Sequence, residues 1–552
     1  MCSRLDAIGF ADALWSRRLD VWTDDSPTQE RIRNRLGWLT ALDAVAPQLA
    51  RVRAFAETVR RDALTDIVLL GMGGSSLAPE VMRQVLGVAP GFPRFRMLDS
   101  VDPDAVRSAL DNAATSLFVL ASKSGSTIEP NSMAAEARRR LVAAGVTPWA
   151  SRFIAITDEN TSLHQHARAE GFREIFVNPA DIGGRYSALS LFGMVPAALM
   201  GADVDAIIAD ARTMETACRL SDVTANPGLA LGTFMAAAAR VGRDKLTLLL
   251  PKPLASFGLW VEQLVAESTG KQGRGIAPIT GEAPGAPIGD DRAIVAVSLA
   301  GHPLEETFNA ARETTPVLEI DVARPAAIGA EFLRWEIATA TAGVLLGINP
   351  FDEPNVQQAK DATRTLLDAY RSSGRLPART AHRNVNGVRL TLSSAAEQEL
   401  PGHDAEGFLR VLHTGDYLGL LAYLPPDREP FESAFQSIRA AIGSASGCAT
   451  MFGYGPRYLH STGQLHKGGP NNGVFVIVTA IAEEDLPIPD QPFSFGVLEM
   501  AQALGDFESL DRTGRRALHV DLPTRDVKVL RGVFEQLLRV ATKSRLSPSG
   551  GS

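Results

Sequence analysis

The spacing of apolar residues changes along the chain, and the changes divide it. Up to about residue 60, apolar side chains recur at helical spacing through Leu36, Leu39, Leu42, Val45 and Leu49, which predicts an N-terminal helical segment over residues 1–60. Short apolar runs then alternate with helical stretches. Ile67–Leu70, Leu117–Leu120, Phe153–Thr157 and Ile175–Val177 each lead into a turn of small residues and a helix. That order is expected of βαβ units in a parallel sheet. Leu246–Leu250, Ile294–Leu299 and Val317–Val322 repeat it, so residues 61–215 and 216–375 read as two copies of one doubly wound module. The long helix after Pro354 runs into a polar linker at Ser372–Gly374. A third α/β lobe is predicted over 376–552, with apolar runs Leu418–Leu424, Val474–Thr479 and Ala517–Val520 and helices near 430–444, 495–510 and 524–541. The tail SRLSPSGGS is predicted to be disordered.

Composition narrows the function classes. The chain has 552 residues, 45% hydrophobic and 21% charged, which excludes a largely disordered or fibrous protein. The net charge is −8 with no basic cluster, a poor basis for binding nucleic acid or an anionic membrane. An anionic ligand must therefore be held by a few placed donors. Cys2, Cys218 and Cys448 show neither CxxC spacing nor a pairing pattern, so neither a disulfide framework nor a zinc site is expected. The opening MCSRLDAIGFADALWSRR lacks the order of a signal peptide, and no apolar run approaches a membrane span. A cytoplasmic protein is the expectation.

Six motifs carry candidate chemistry. GMGGSSLAPE (71–80) follows a strand and opens a helix, where glycines admit a ligand to the backbone and free N–H groups favour an anion. A plain tight turn would look similar. ASKSGSTIEP (121–130) sets Ser122, Ser124, Ser126 and Thr127 around Lys123 at a helix start. One helix cap needs one hydroxyl, so four hydroxyls and a lysine favour a phosphate cradle. DIGGRYSALS (181–190) presents Arg185, either as a stabiliser of an oxyanion or as a surface arginine paired with Asp181. VAESTGKQGRG (265–275) puts Glu267 in the last turn of a helix, where the dipole raises the proton affinity of a carboxylate, as a general base needs. The alternative there is an exposed glutamate balanced by Lys271. INPFDEPNVQQAK (348–360) leads a proline turn into a helix bearing Lys360, and YLHSTGQLHKGGPNNG (458–473) offers His460 as a proton carrier or as part of a polar loop.

Taken in this order, the motifs resemble those of the phosphoglucose isomerase family. GMGGSS, SKSGST, GGRYS, ESTGK and NPFDEPNVQQAK stand for its GIGGS, SKSGTT, GGR(Y/F)S, ESxGK and NPFDQPxVxxxK segments. The resemblance implies an α/β fold of two doubly wound SIS-type sugar-phosphate-binding subdomains with parallel sheets, beside the helical segment and the C-terminal lobe. It implies a glucose-6-phosphate isomerase acting through an enediolate in glycolysis and gluconeogenesis. A dual phosphoglucose/phosphomannose isomerase and a non-catalytic sugar-phosphate sensor are the alternatives. By match of position, Ser75, Ser122, Lys123, Ser124 and Thr127 would bind the substrate phosphate, with Gly74 and Glu353 also at the substrate. Arg185 would stabilise the enediolate, Glu267 would shuttle the C1/C2 proton, and Lys360 would stand near the ring oxygen. Neither a metal nor a cofactor is implied.

Two departures stand out. Glu353 replaces the family's Gln. The family's DLHSxGQ segment is missing from its usual interval, which holds only His302 in AGHPLEE, whereas YLHSTGQ with His460 lies about a hundred residues after Lys360, near FSFG (493–496). That order resembles the isomerase half of bifunctional transaldolase/phosphoglucose isomerase proteins. It raises the expectation of a functional link to a transaldolase, and the family that of a homodimer.

Overall fold

The computed structural model describes residues 1–302, 312–377, 379–426 and 428–545. The predicted tail lies outside the described residues from 546 onward.

Three sheets organise the chain. The first contains β1 (Asp66–Leu70), β2 (Arg94–Leu98), β3 (Ser116–Ala121), β4 (Phe153–Asp158) and β5 (Glu174–Asn178), all parallel, in the order β2-β1-β3-β4-β5. β1, β3 and β4 are buried along their whole length, which is why they read as unbroken apolar runs. The second sheet contains β6 (Lys245–Leu249), β7 (Ala277–Ile279), β8 (Arg292–Leu299) and β9 (Val317–Val322), also parallel, in the order β7-β6-β8-β9.

The third sheet is mixed. Its order is β10-β11-β15-β14-β12-β13, from β10 (Arg383–Val385), β11 (Val388–Leu392), β12 (Tyr417–Tyr423), β13 (Ala449–Tyr454), β14 (Gly473–Ala480) and β15 (Arg516–Leu522). β10 and β11 form an antiparallel edge on a parallel core. Helices Phe431–Ser446, Phe495–Arg512 and Val527–Arg545 match the positions expected for this lobe. No described helix is long and apolar enough to cross a membrane.

The first two sheets and the N-terminal helices share one core. It runs from Leu5 and Phe10 through Leu69 and Val119 to Val295, Trp335 and Phe351. The C-terminal lobe packs against both halves. Phe493, Phe495 and Leu498 join Val68, Leu120 and Met133 beside the first sheet, while Leu459, Leu465 and Phe475 meet Ala266, Ala277 and Ile279 beside the second. His460, between Leu459 and Leu465, thus lies beside the second half, and its side chain reaches Glu129 of the first half.

Candidate active site

In the first sheet the strand order reverses between β1 and β3, and the crevice beyond the carboxyl ends of such a pair is where open α/β sheets bind ligands. The two loops that leave it are GMGGSS after β1 and SKSGST after β3. Gly73 has φ +54°, and a Cβ there would lie 2.8 Å from the His460 carbonyl oxygen. A Cβ on Gly74 would collide with the carbonyl oxygen of Gly184. The turn thus has to be glycine, because the Arg185 loop presses on one side of it and the His460 loop on the other.

Arg185 is 4% exposed, and its surroundings correct the reading of a surface arginine paired with Asp181. Asp181 is instead 3.8 Å from Arg17. Arg185 Nε donates to Ser268 Oγ (2.8 Å), and Nη2 donates to the carbonyls of Pro350 (2.9 Å) and Asp352 (3.0 Å). Its Nη1 lies 3.0 Å from Glu353 Oε2 and 3.3 Å from Glu267 Oε1. Glu267 is buried in the last turn of helix Phe257–Thr269, not exposed beside Lys271. Burial raises its proton affinity, and Arg185 opposes that. The Lys271 ammonium is turned to Asp352 Oδ1 (2.8 Å) and the Asn349 carbonyl (2.7 Å), and burial, with Arg185 adding to it, pulls its pKa down to about 8.

His460 comes to the same place from its own chain. The Gln263 amide donates to Glu267 Oε2 (3.2 Å) and to the His460 carbonyl (2.7 Å). His460 Nε2 is 2.9 Å from Glu129 Oε1, and Gln502 donates to that same oxygen at 2.7 Å. Burial works against the charge on Glu129, but the charge and hydrogen bond of His460 outweigh it, so the carboxyl stays below its ordinary pKa. Neighbours of His460 fix the loop: Arg457 forms two 2.9 Å bonds to Asp99, and the Tyr458 hydroxyl donates to Asp506 (2.6 Å). Gln464 donates to the Gly270 carbonyl and to Asn355 Oδ1, both at 2.8 Å, tying YLHSTGQ to the end of the Glu267 helix and to the start of the Lys360 helix. His302, in contrast, is exposed at a bridge with Leu299.

A cleft of about 720 Å³ opens beside these residues. Ser126, Thr127, Glu129, Lys360, His460 and Gln502 line it. Thr127 stands at the N-cap of helix Ile128–Ala143 without a side-chain capping bond, so its hydroxyl is open to a ligand. Ser124 and Ser126 share a 2.9 Å hydroxyl contact. Ser75, half-buried, ends the first glycine turn, and Lys360 is exposed on helix Pro354–Ser373.

Two of the expected phosphate ligands are placed differently. The Lys123 ammonium is bound to Asp158 and to the Ala180 carbonyl (2.6 Å), because burial of the Asp158 carboxylate demands a counter-charge. Ser122 is buried, and its hydroxyl accepts from the Gly125 N–H (3.1 Å). These two side chains shape the loop, whereas Ser124, Ser126 and Thr127 form its open rim. Thr127→Val, which keeps shape but removes the hydroxyl, should weaken inorganic phosphate binding by roughly tenfold, the loss of one hydrogen bond to a charged group. Calorimetric titration with phosphate checks this, and unchanged affinity would take Thr127 out of the cradle.

The motifs do not single out Glu129, Gln263, Gln464 or Gln502. Two of them carried a usable signal: Glu129 follows Thr127 by two residues, and Gln263 lies one helical turn before Glu267.

Residues 39–278 match the family model for phosphoglucose isomerase. A glucose-6-phosphate isomerase of Prochlorococcus marinus is 39% identical over 214 residues, 38% of this chain and 39% of the relative. One of Nostoc punctiforme is 34% identical over 274 residues, 47% of this chain and 49% of the relative. The chain thus spans less than half the length of these curated relatives. Glu353, Lys360 and His460 lie beyond the residues that the family model matches. Among solved structures, a hypothetical protein from Thermus thermophilus is similar with a TM-score of 0.56 and 24% identity, covering 66% of this chain and 95% of its own. A glucose-6-phosphate isomerase from Chlamydia trachomatis has a TM-score of 0.51 and 20% identity, covering 66% of this chain and 78% of its own. Both are likenesses of fold.

Proposed function

We propose that the chain is a member of the phosphoglucose isomerase family and interconverts glucose 6-phosphate and fructose 6-phosphate through an enediolate, a reading supported by the family-model match and the similar relatives. One observation carries this reading. A buried carboxylate, Glu267, lies 3.3 Å from a buried guanidinium and shares the Gln263 amide with the main-chain carbonyl of His460, a residue that lines the cleft.

The phosphate sits on the rim formed by Ser124, Ser126 and Thr127 at a helix start, with Ser75 on the neighbouring turn, and its binding energy orients the sugar. His460, held by Glu129, exchanges a proton with the ring oxygen, and Lys360 lines the same cleft. Glu267 removes the C2 proton and returns it to C1. Arg185 meets the charge that develops on the enediolate oxygens, and its other nitrogens are tied to Ser268, Pro350 and Asp352 so that it needs no rearrangement. The same reading includes a homodimer and a functional link to a separate transaldolase, although one chain already assembles the cleft.

The test is conversion of fructose 6-phosphate to glucose 6-phosphate by the purified chain, followed by coupled reduction of NADP in the presence of EDTA. Sustained turnover is expected. Absence of product from a folded protein that still binds phosphate would defeat the reading.

A further inference from the structure

Two carboxylates converge on one guanidinium nitrogen in this site. Arg185 Nη1 is 3.0 Å from Glu353 Oε2 and 3.3 Å from Glu267 Oε1, and the shorter contact belongs to the residue with no assigned chemical step. The two glutamates differ in access. The Glu267 side chain is 10% exposed, whereas that of Glu353 is 36% exposed at the head of helix Pro354–Ser373. Desolvation therefore falls mainly on Glu267.

We infer that Glu353 is a positioning residue for the isomerase reaction: it competes with Glu267 for Arg185 Nη1 and leaves Glu267 a stronger base than Arg185 alone would allow. The inference rests on the proposed function. Its physical content is a charge count. Arg185 with Glu267 is neutral and would hold the base tightly as a carboxylate, with little affinity for a proton. A second carboxylate at hydrogen-bond distance from the same nitrogen makes the trio −1 and weakens that hold. The direction of the proton affinity of Glu267 agrees. Burial raises it most, Arg185 and Lys271 lower it, and Glu353 raises it.

The other charged groups around the base are engaged elsewhere. Lys271 is turned to Asp352. Tyr186, on the Arg185 loop, is bound to Ser268 (3.3 Å), with Glu336 of helix Ile328–Leu346 acting on it from behind. Glu80 on helix Leu77–Leu86 is paired with Arg83 (2.7 Å). On the short helix Gly463–Gly468, Lys467 is paired with Asp506 (2.5 Å), and burial keeps His466 neutral at ordinary pH. His460 acts on Glu129. Glu353 is thus the acidic group placed to oppose Arg185 at Glu267.

The substitution Glu353→Gln keeps the shape and removes the charge. The acid limb of kcat/KM should move to lower pH by about one unit, the usual effect of one charge at this range. Glu353→Asp, which keeps the charge, should stay closer to the parent. The ¹³C resonance of the Glu267 carboxyl, in protein labelled at glutamate Cδ and assigned with Glu267→Gln, should move its titration midpoint in the same direction in the Glu353→Gln protein. A Glu267 midpoint unchanged between the parent and Glu353→Gln overturns the inference, whatever the activity. If the parent chain lacks isomerase activity, the proposed function fails, and the resonance still decides whether Glu353 opposes Arg185.

Discussion

Glu267→Gln should lower turnover by about 10²–10⁴-fold and leave inorganic phosphate binding unchanged, the loss expected when a general base is removed from an otherwise intact site. The substitution should not unfold the site. Arg185 keeps Glu353 at 3.0 Å and three further acceptors, so the guanidinium is not left unpaired. Gln263 retains the His460 carbonyl as its partner, and a glutamine oxygen at position 267 can still accept from it. The loss should appear in kcat, because the rim at Ser124–Thr127 proposed to hold the phosphate belongs to a different loop and would bind substrate and enediolate alike. Steady-state kinetics, a thermal melt and phosphate calorimetry on the same preparation check it. Turnover within tenfold of the parent would remove Glu267 from the proton transfer.

His460→Gln should cost about 10²-fold on cyclic glucose 6-phosphate and little on an open-chain analogue. Glutamine is chosen because Glu129 is buried and needs a donor in place of the imidazole. The glutamine amide supplies one, with Gln502 as the second, but it cannot carry a proton. His460 belongs to the same chain as Glu267 and reaches the cleft without a second subunit. The expected loss should therefore be independent of protein concentration. Equal losses on both substrates would mean that His460 positions the sugar and does not open its ring.

Much of the fold follows from residues that read plainly. The buried strands β1, β3, β4, β8, β12 and β14 are unbroken apolar runs because both faces are covered. Five unread strands lack that signature: β2 is an edge strand whose RFRML alternates charge with apolar residues, β7 has three residues, β10 is exposed throughout, β11 alternates apolar residues with Arg389 and Thr391, and β13 is an edge strand interrupted by Thr450 and Gly453. The site divides in the same way. Thr127 and Glu267 lie where a helix start and a helix end place them, so local pattern carries them. The pairing of Lys123 is not legible from its neighbours, because its counter-ion Asp158 lies 35 residues along the chain. Arg185 alone gives no sign of burial, since its partners Ser268 and Glu353 are 83 and 168 residues distant.

The sequence by itself determined which chemistry is present: the alternation that yields parallel sheets, the hydroxyl-rich loop at a helix start, a glutamate in the last turn of an apolar helix, and a second histidine segment far along the chain. Those are local properties of spacing and side-chain type, and they survive without a partner. Only the tertiary structure decided which of these groups meet. It brought His460 across 331 residues to Glu129, set Glu267 and Glu353 on one arginine nitrogen, and turned Lys123 away from the open rim. The reason is physical. A buried charge must find its counter-charge wherever the packing of the sheets and the C-terminal lobe presents one, and that choice depends on distances in space that no spacing along the chain encodes.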